Sequence, residues 1–341
     1  MNTNKFAIIF GTRPEYLKVK PIIDIFKKKN ILNYKVIYIQ QHLSIDEEME
    51  DFYELLPIIV YSDKDRLCSL GEQILSKLPS YIIDFTHIIV QGDTASAYYS
   101  ALTAFQLQKK VVHIEAGLRT YDLDRPFPEE AYRQMISRIA TINFTPHTDS
   151  SKLLLDEKVF GTVYTVGNTI LDLIASYKLN CSMSNIVLIT FHRRENWDKI
   201  DILLSGLKKL VKKTPHIKYI WYLHPNPMLQ QKVRESIKVF NSIELHSPCS
   251  HKEFTNQISI SNFLISDSGG IQEESSFLGK HCIVLRASTE RSHIPKEYIT
   301  VLEDYSKLDE IYDLLPLKQL PKCNVYGNGD SSKKIYAHLF D

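Results

Sequence analysis

Short, nearly unbroken apolar runs alternate along this chain with longer stretches whose apolar residues recur every three or four positions. Runs of the first kind predict strands at 6–10, 35–40, 87–90, 111–114, 186–191, 218–223, 242–245, 262–265 and 281–285. Stretches of the second kind predict helices over 16–29, 95–107, 129–139, 200–213, 228–240 and 270–278. Strand–helix alternation of this kind builds parallel sheets with helices on both faces. Continuous apolar strands, rather than alternating ones, suit burial on both faces. The fold class expected is therefore α/β.

The pattern weakens between Val166 and Ser184. Gly167-Asn168-Thr169 is a turn followed by a helix cap, and 176–184 is polar and without period. Each side of this gap holds a complete strand–helix series of ordinary domain size. The expected domains are 1–167 and 168–325. A final 326–341 segment reads as a loop, Tyr326-Gly327-Asn328-Gly329-Asp330, and a closing helix. No internal repeat or low-complexity tract is visible.

Composition narrows the choice of partner. At 341 residues the chain is long for one core and comfortable for two. Its 44% hydrophobic and 24% charged residues are those of an ordinary globular protein. A net charge of +1 gives no reason to expect nucleic acid or an anionic membrane. The five cysteines are widely spaced, with no CxxC pair and no disulfide framework. Cys282, inside the run Cys-Ile-Val-Leu, reads as a buried small hydrophobe. The first residues lead straight into a strand with no signal-peptide core, and no apolar run approaches the ~20 residues of a membrane span. A cytoplasmic location is the expectation.

The chemistry sits where predicted strands end. Gln91-Gly92-Asp93-Thr94, His113-Ile114-Glu115-Ala116-Gly117 and Pro128-Glu129-Glu130 carry acids; Phe191-His192-Arg193-Arg194-Glu195-Asn196 and Ser266-Asp267-Ser268-Gly269-Gly270 end two later strands. In open parallel sheets, ligands bind outside the carboxyl ends of the strands. Five polar motifs there point to an enzyme with a small phosphate-bearing ligand. Gly11-Thr12-Arg13-Pro14-Glu15 follows the first strand and opens a helix, where glycine lets amides approach an anion and proline is tolerated. Arg13 could grip a phosphate bidentately, with Lys18 one turn further on. Ser268-Gly269-Gly270 repeats the arrangement as a nest for a diphosphate, and Glu274 a turn later could accept both ribose hydroxyls. His192 would donate to a departing oxygen, and His224 ends the next strand similarly. The bland alternatives are solvated charges at ordinary turns and, for each histidine, a satisfied structural residue.

Asp93, Glu115 and Glu129 are the sharpest signal, because carboxylates are costly to bury unless paired and converging ones separate into an acid and a base. Arg119, Arg125 and Arg133 supply the competing reading, in which these acids form ion pairs that hold a loop. Arg133 is also a candidate substrate ligand. No His/Cys cluster with metal-ligand spacing accompanies these acids, and a Gly-x-Ser-x-Gly elbow and a Walker A loop are missing.

As a set, Gly11-Thr-Arg-Pro-Glu, Gly92-Asp-Thr, His113-Ile-Glu-Ala-Gly-Leu-Arg-Thr, Pro128-Glu-Glu, His192-Arg-Arg-Glu-Asn and Asp267-Ser-Gly-Gly-Ile-Gln-Glu-Glu resemble the non-hydrolysing UDP-N-acetylglucosamine 2-epimerases, in that family's order and over nearly the whole chain. The resemblance implies a GT-B fold, two Rossmann-like domains with an active-site cleft between them. It implies interconversion of UDP-GlcNAc and UDP-ManNAc without cofactor or metal, by anti elimination of UDP to a 2-acetamidoglucal and re-addition. It casts Asp93, Glu115 and Glu129 as proton-handling carboxylates and His192 and Arg13 as groups acting on the diphosphate. Ser268, Gly269 and Gly270 would hold phosphate and Glu274 the ribose. A homodimer supplying cell-surface polysaccharide is further implied.

Three departures qualify the likeness. Leu43-Ser44-Ile45-Asp46 stands where the family carries Arg-Glu-Met-Leu, in a region that forms an allosteric UDP-GlcNAc site in some bacterial members; this speaks against carrying substrate activation over. Tyr16-Leu17 replaces the usual Ala-Ile, and the chain is short for the family. These leave the sugar open, with a different UDP-hexose as the first alternative. The hydrolysing epimerases carry His-x-His-Gly-Gly-Glu where this chain has His113-Ile-Glu-Ala-Gly-Leu, and so rank lower. A GT-B glycosyltransferase would need an acceptor groove and usually one base rather than three acids. A non-catalytic UDP-sugar sensor would be expected to have lost motif residues, and none of the catalytic set is missing.

Overall fold

The computed structural model describes residues 4–40, 49, 53–59, 65–238, 240–289, 291 and 293–340. The chain divides into two compact units, Met1–Leu173 with Tyr326–Asp341, and Ile174–Val325.

Among the described residues the first unit is built on seven strands: β1 (Phe6–Phe10), β2 (Tyr34–Ile39), β3 (Glu54–Leu56), β4 (His87–Gln91), β5 (Lys110–Ile114), β6 (Ile142–Thr145) and β7 (Thr162–Thr165). All pair in parallel, in the order β3-β2-β1-β4-β5-β6-β7. Its helices are α1 (Arg13–Lys28), α2 (Arg66–Ile82), α3 (Ala95–Gln106), α4 (Glu129–Ile139) and α5 (Thr148–Asp156), followed by α6 (Ile170–Ser176), within which the division falls. One face of the sheet packs Ile9, Ile37, Ile88 and Val90 against Ile74, Leu78, Ala97 and Ala101 of α2 and α3, all fully or almost fully buried. Each such large side chain contributes about 1.5–3 kcal/mol.

Among its described residues the second unit has six parallel strands in the order β10-β9-β8-β11-β12-β13. They are β8 (Ile186–Thr190), β9 (Lys218–Tyr222), β10 (Ile243–His246), β11 (Phe263–Ser266), β12 (His281–Val284) and β13 (Ile299–Val301). Its helices are α7 (Ile200–Lys213), α8 (Pro227–Ile237), α9 (His251–Ile260), α10 (Gly269–Phe277) and α11 (Leu308–Tyr312). Leu203, Leu207 and Leu210 form the buried stripe of α7 against Val187, Ile189, Trp221 and Ile265. Cys282 is fully buried in β12, and burial pushes its thiol up to about 12.

The last helix, α12 (Ser331–Phe340), is part of the first unit. Phe340 packs its ring 5.1 Å from that of Phe6 and 5.4 Å from that of Phe26, and the Asp172 carboxylate accepts from the Ser331 and Ser332 amides at its start.

In both sheets the strand order reverses beside the first strand of the unit. The reversal lies between β1 and β4 in the first unit and between β8 and β11 in the second. At such a switch point neighbouring connections leave in opposite directions and open a crevice at the strands' carboxyl ends. The residues that follow these four strands are Gly11–Arg13, Gly92–Thr94, His192–Arg194 and Asp267–Gly270.

Candidate active site

In the first unit, Thr12 caps α1 by accepting from the Glu15 amide, Arg13 and Pro14 form the first turn, and the Glu15 side chain turns back into the protein. Its carboxyl accepts from the Gly11 amide at 3.1 Å and from the Thr94 hydroxyl at 2.7 Å, tying the turn after β1 to the turn after β4. Burial pushes Glu15 up to about 7, against the hydrogen bonds from Thr94, Thr12 and Gly11. Thr94 also caps α3. Gly92 takes a left-handed φ of 71°, open to glycine without strain, and a Cβ there would lie 3.8 Å from Glu115 Oε2. Its carbonyl is met at 2.8 Å by His113 Nε2. Burial drives His113 down to about 4, so the ring is neutral at pH 7 and donates to that carbonyl.

Glu115 itself sits at φ 65°, unusual for a non-glycine residue and found where surrounding structure fixes it. Its carboxylate is the centre of a network. Lys18 Nζ lies 2.5 Å from Oε2, the Gln91 amide donates to the same oxygen, and Asn168 Nδ2 donates to Oε1 at 3.1 Å. Asp93 pairs with Arg133 at 2.7 Å, and Arg133 lies one turn beyond Glu129, the first residue of α4. Glu130, fully buried, accepts from the Thr120 and Tyr121 amides and so shapes the loop before α4.

The competing ion-pair reading is met in part. Arg119 makes a bidentate pair with Glu157 (2.9 Å each) rather than with any of the three acids, whereas Arg133 does engage Asp93.

In the second unit Asp267 is fully buried and accepts from the His192 and Arg193 amides (2.9 Å each) and from Asn196 Nδ2 at 3.2 Å. The turn after β8 is thus fixed to the end of β11. Burial lowers the pKa of His192, opposed by Asp267, so the ring is neutral and retains one N–H donor. The His224 ring lies 5.9 Å from it, and its Nδ1 accepts from the Asn226 amide. The pKa of His224 is also lowered, mainly by burial and then by Arg194.

Ser268 precedes α10 without a side-chain cap, unlike Thr12, Thr94, Asn226 and Ser250 at other helix starts. An uncapped helix start presents its first amides to a ligand. Two buried arginines gather there: a Cβ on Gly269 would lie 3.2 Å from the Arg291 guanidinium and 3.4 Å from Arg286 Nη2. Arg291 also donates to Glu273 at 2.9 Å, and Arg286 to the Asp267 carbonyl at 2.7 Å. Glu274 lies a turn further along α10, with Oε1 near Gly270.

The UDP-N-acetylglucosamine 2-epimerase family model matches residues 25–340. The chain belongs to that family. A Campylobacter jejuni UDP-N-acetylglucosamine 2-epimerase is 32% identical over 97% of this chain and 96% of its own length. Among solved structures, the Neisseria meningitidis UDP-GlcNAc 2-epimerase bound to UDP-GlcNAc is 30% identical, covers 98% of this chain and 99% of its own, and has a TM-score of 0.86. A Methanocaldococcus jannaschii UDP-GlcNAc 2-epimerase in complex with UDP-GlcNAc and UDP is 27% identical, with coverage of 98% and 99% and a TM-score of 0.82. The two parallel α/β units are the pair of Rossmann-like domains of the GT-B fold expected for this family.

Within each unit the family motifs come together. Lys18 pairs with Glu115, and Asp93 with Arg133, in the first; His192, His224 and Asp267 cluster in the second, as do Ser268, Gly269, Gly270 and Glu274. Sequence reasoning missed Glu15 and Asn168 as partners, the anchoring role of Asp267, and Arg286 with Arg291. Arg286 lies two residues past the end of the apolar β12, the same strand-end signal that exposed several of the other motifs. The Leu43-Ser44-Ile45-Asp46 departure lies outside the described residues. Among the described residues no helix is long and apolar enough to cross a membrane.

Proposed function

We propose that this protein is a non-hydrolysing epimerase that inverts C2 of UDP-GlcNAc to give UDP-ManNAc, without an added cofactor or metal. The observation that supports it most is the end-to-end match to a relative crystallised with UDP-GlcNAc, with a full carboxylate set in this chain.

The chemistry accounts for the residue types. The C2 hydrogen has no adjacent carbonyl and is poorly acidic, so departure of UDP must run ahead and leave oxocarbenium-like charge that carboxylates stabilise. Asp93, Glu115 and Glu129 are the groups proposed to remove a proton from one face of C2 and return one to the other. Lys18, Gln91 and Asn168 hold Glu115 in place for either role. The neutral His192 donates to the departing diphosphate, with Arg13 as a cation for the same group. Ser268, Gly269 and Gly270 offer helix-start amides to phosphate, reinforced by Arg286 and Arg291, and Glu274 takes the ribose. The chain acts as a homodimer in the cytoplasm and feeds polysaccharide synthesis in this reading.

Product analysis tests it. Incubation with UDP-GlcNAc should give a UDP-sugar of unchanged mass whose NMR spectrum shows the manno configuration. Free sugar plus UDP would mean hydrolysis, a heavier glycoside would mean transfer, and turnover restricted to another UDP-hexose would reassign the substrate. Tight binding without turnover of any UDP-sugar would mean a sensor.

A further inference from the structure

Glu274 belongs to a connected set of three side chains whose other members have no place in the reaction described above. His251, the first residue of α9, places Nε2 3.3 Å from Glu274 Oε2, and the two side chains are only 8% and 11% exposed. The Tyr177 hydroxyl lies 3.0 Å from the other ring nitrogen, Nδ1. A capping box between Ser250 and Glu253 fixes the start of α9, and with it the backbone that carries the imidazole.

A carboxylate so deeply buried needs a donor to hold its charge and its rotamer. A neutral imidazole has one donor and one acceptor nitrogen. The Tyr177 hydroxyl contact on Nδ1 turns the other ring nitrogen, Nε2, toward Glu274. One carboxylate oxygen lies in 3.3 Å contact with His251, without an aligned hydrogen bond, and the other lies 3.7 Å from where a Gly270 side chain would begin, at the proposed phosphate turn. A carboxylate whose rotamer is restricted before the ligand arrives accepts from vicinal hydroxyls at a lower cost.

We propose that His251, oriented by Tyr177, is a positioning residue for Glu274 and thereby sets recognition of the nucleotide's ribose hydroxyls. The proposal rests on the reading of Glu274 as the ribose ligand. His251 touches no reacting atom. Its effect falls on nucleotide affinity and KM, and much less on kcat.

Calorimetry with UDP and 2′,3′-dideoxy-UDP on the full-length protein tests it. The native protein should prefer UDP by about tenfold or more, the scale of a hydrogen bond to a charged acceptor. His251→Leu should lose most of that preference by weakening UDP while leaving the dideoxy compound nearly unchanged. His251→Gln, which keeps a donor, should restore part of it. Tyr177→Phe, which keeps the ring, should fall between. If Glu274→Gln abolishes the preference but His251→Leu and Tyr177→Phe both retain it, the positioning role is wrong. Equal weakening of both nucleotides by these two variants would show a merely structural part and overturn it equally. Should Glu274→Gln keep the native preference, the ribose assignment fails, and the role of His251 with it.

Discussion

Asp93 and Asp267 occupy matching places in the two units, each just past a strand that borders the sheet's reversal point. Their surroundings differ sharply. Asp93 keeps 28% of its side chain exposed and pairs with Arg133, while Asp267 is fully buried and accepts from two backbone amides and Asn196. The first is partly open to solvent beside Arg133; the second holds the His192 and Arg193 amides in place. Identical residue types at equivalent positions thus differ in how deeply each is buried and in whether a guanidinium or backbone amides meet it.

The same contrast extends to whole units. The first gathers carboxylates, with Asp93 held by Arg133 and Glu115 by Lys18 and the Gln91 and Asn168 side-chain amides. The second gathers donors, a neutral histidine, two buried arginines and an uncapped helix start. Acid–base work on a sugar and capture of a diphosphate need those two inventories respectively.

Variants that separate the inventories should differ in kind as well as size. Glu115→Gln should lower kcat by about 10³-fold or more, as expected for loss of a proton-transfer group, with UDP affinity within a few-fold of native. A comparable loss of UDP affinity in calorimetry would erase the contrast. Glu15 gives the next effect. Its folded pKa of about 7 is raised from 4.5, so the folded state holds the proton more tightly than the unfolded one. The associated stability is complete below pH 4.5 and is lost as pH rises through about 7, roughly 3 kcal/mol at ~1.4 kcal/mol per pH unit. Urea denaturation between pH 5 and 8 should therefore show native protein losing stability relative to Glu15→Gln, and parallel curves would contradict the assignment.

Asp267→Asn should cost about 2–3 kcal/mol by turning a donor toward buried amides, whereas Asp93→Asn should change stability by less than about 1 kcal/mol. Thermal melts of both variants decide that comparison. The smallest effect concerns helix starts. Ser250→Ala should cost about 1 kcal/mol through the lost cap. Ser268→Ala, at a start with no side-chain cap, should stay within about 0.5 kcal/mol.

What the sequence revealed, and what it hid, follows the same physics. Central strands such as β1, β4 and β8 are buried on both faces and read as continuous apolar runs. Edge strands β3, β7 and β13 are three or four residues long and partly exposed, so Glu54-Leu55-Leu56 and Thr162-Val163-Tyr164-Thr165 carry no such signal. β6 was hidden by Asn143, a buried polar residue inside an interior strand. α2 contains Gly71 and Pro79, and α9 is largely polar, which masks both helical patterns. Asp93, Glu115, His192 and Asp267 were visible because they follow apolar strands, whereas Glu129, expected at a strand end, instead opens α4; their partners were not visible. Lys18 and Glu115 lie 97 positions apart, and His192 and Asp267 lie 75 apart. Only the parallel register brings such residues together, and no local pattern encodes it.

The central claim is that protons leave and rejoin C2 of a UDP-sugar on the carboxylates of the first unit. Deuterium uptake from D₂O, followed by NMR of UDP-GlcNAc with the native protein and with Glu115→Gln, measures that step directly. The account predicts complete labelling at C2 by the native protein and a loss of about 10³-fold in rate for the variant, with UDP still bound. Conversion to the C2 epimer with the original hydrogen retained would contradict it.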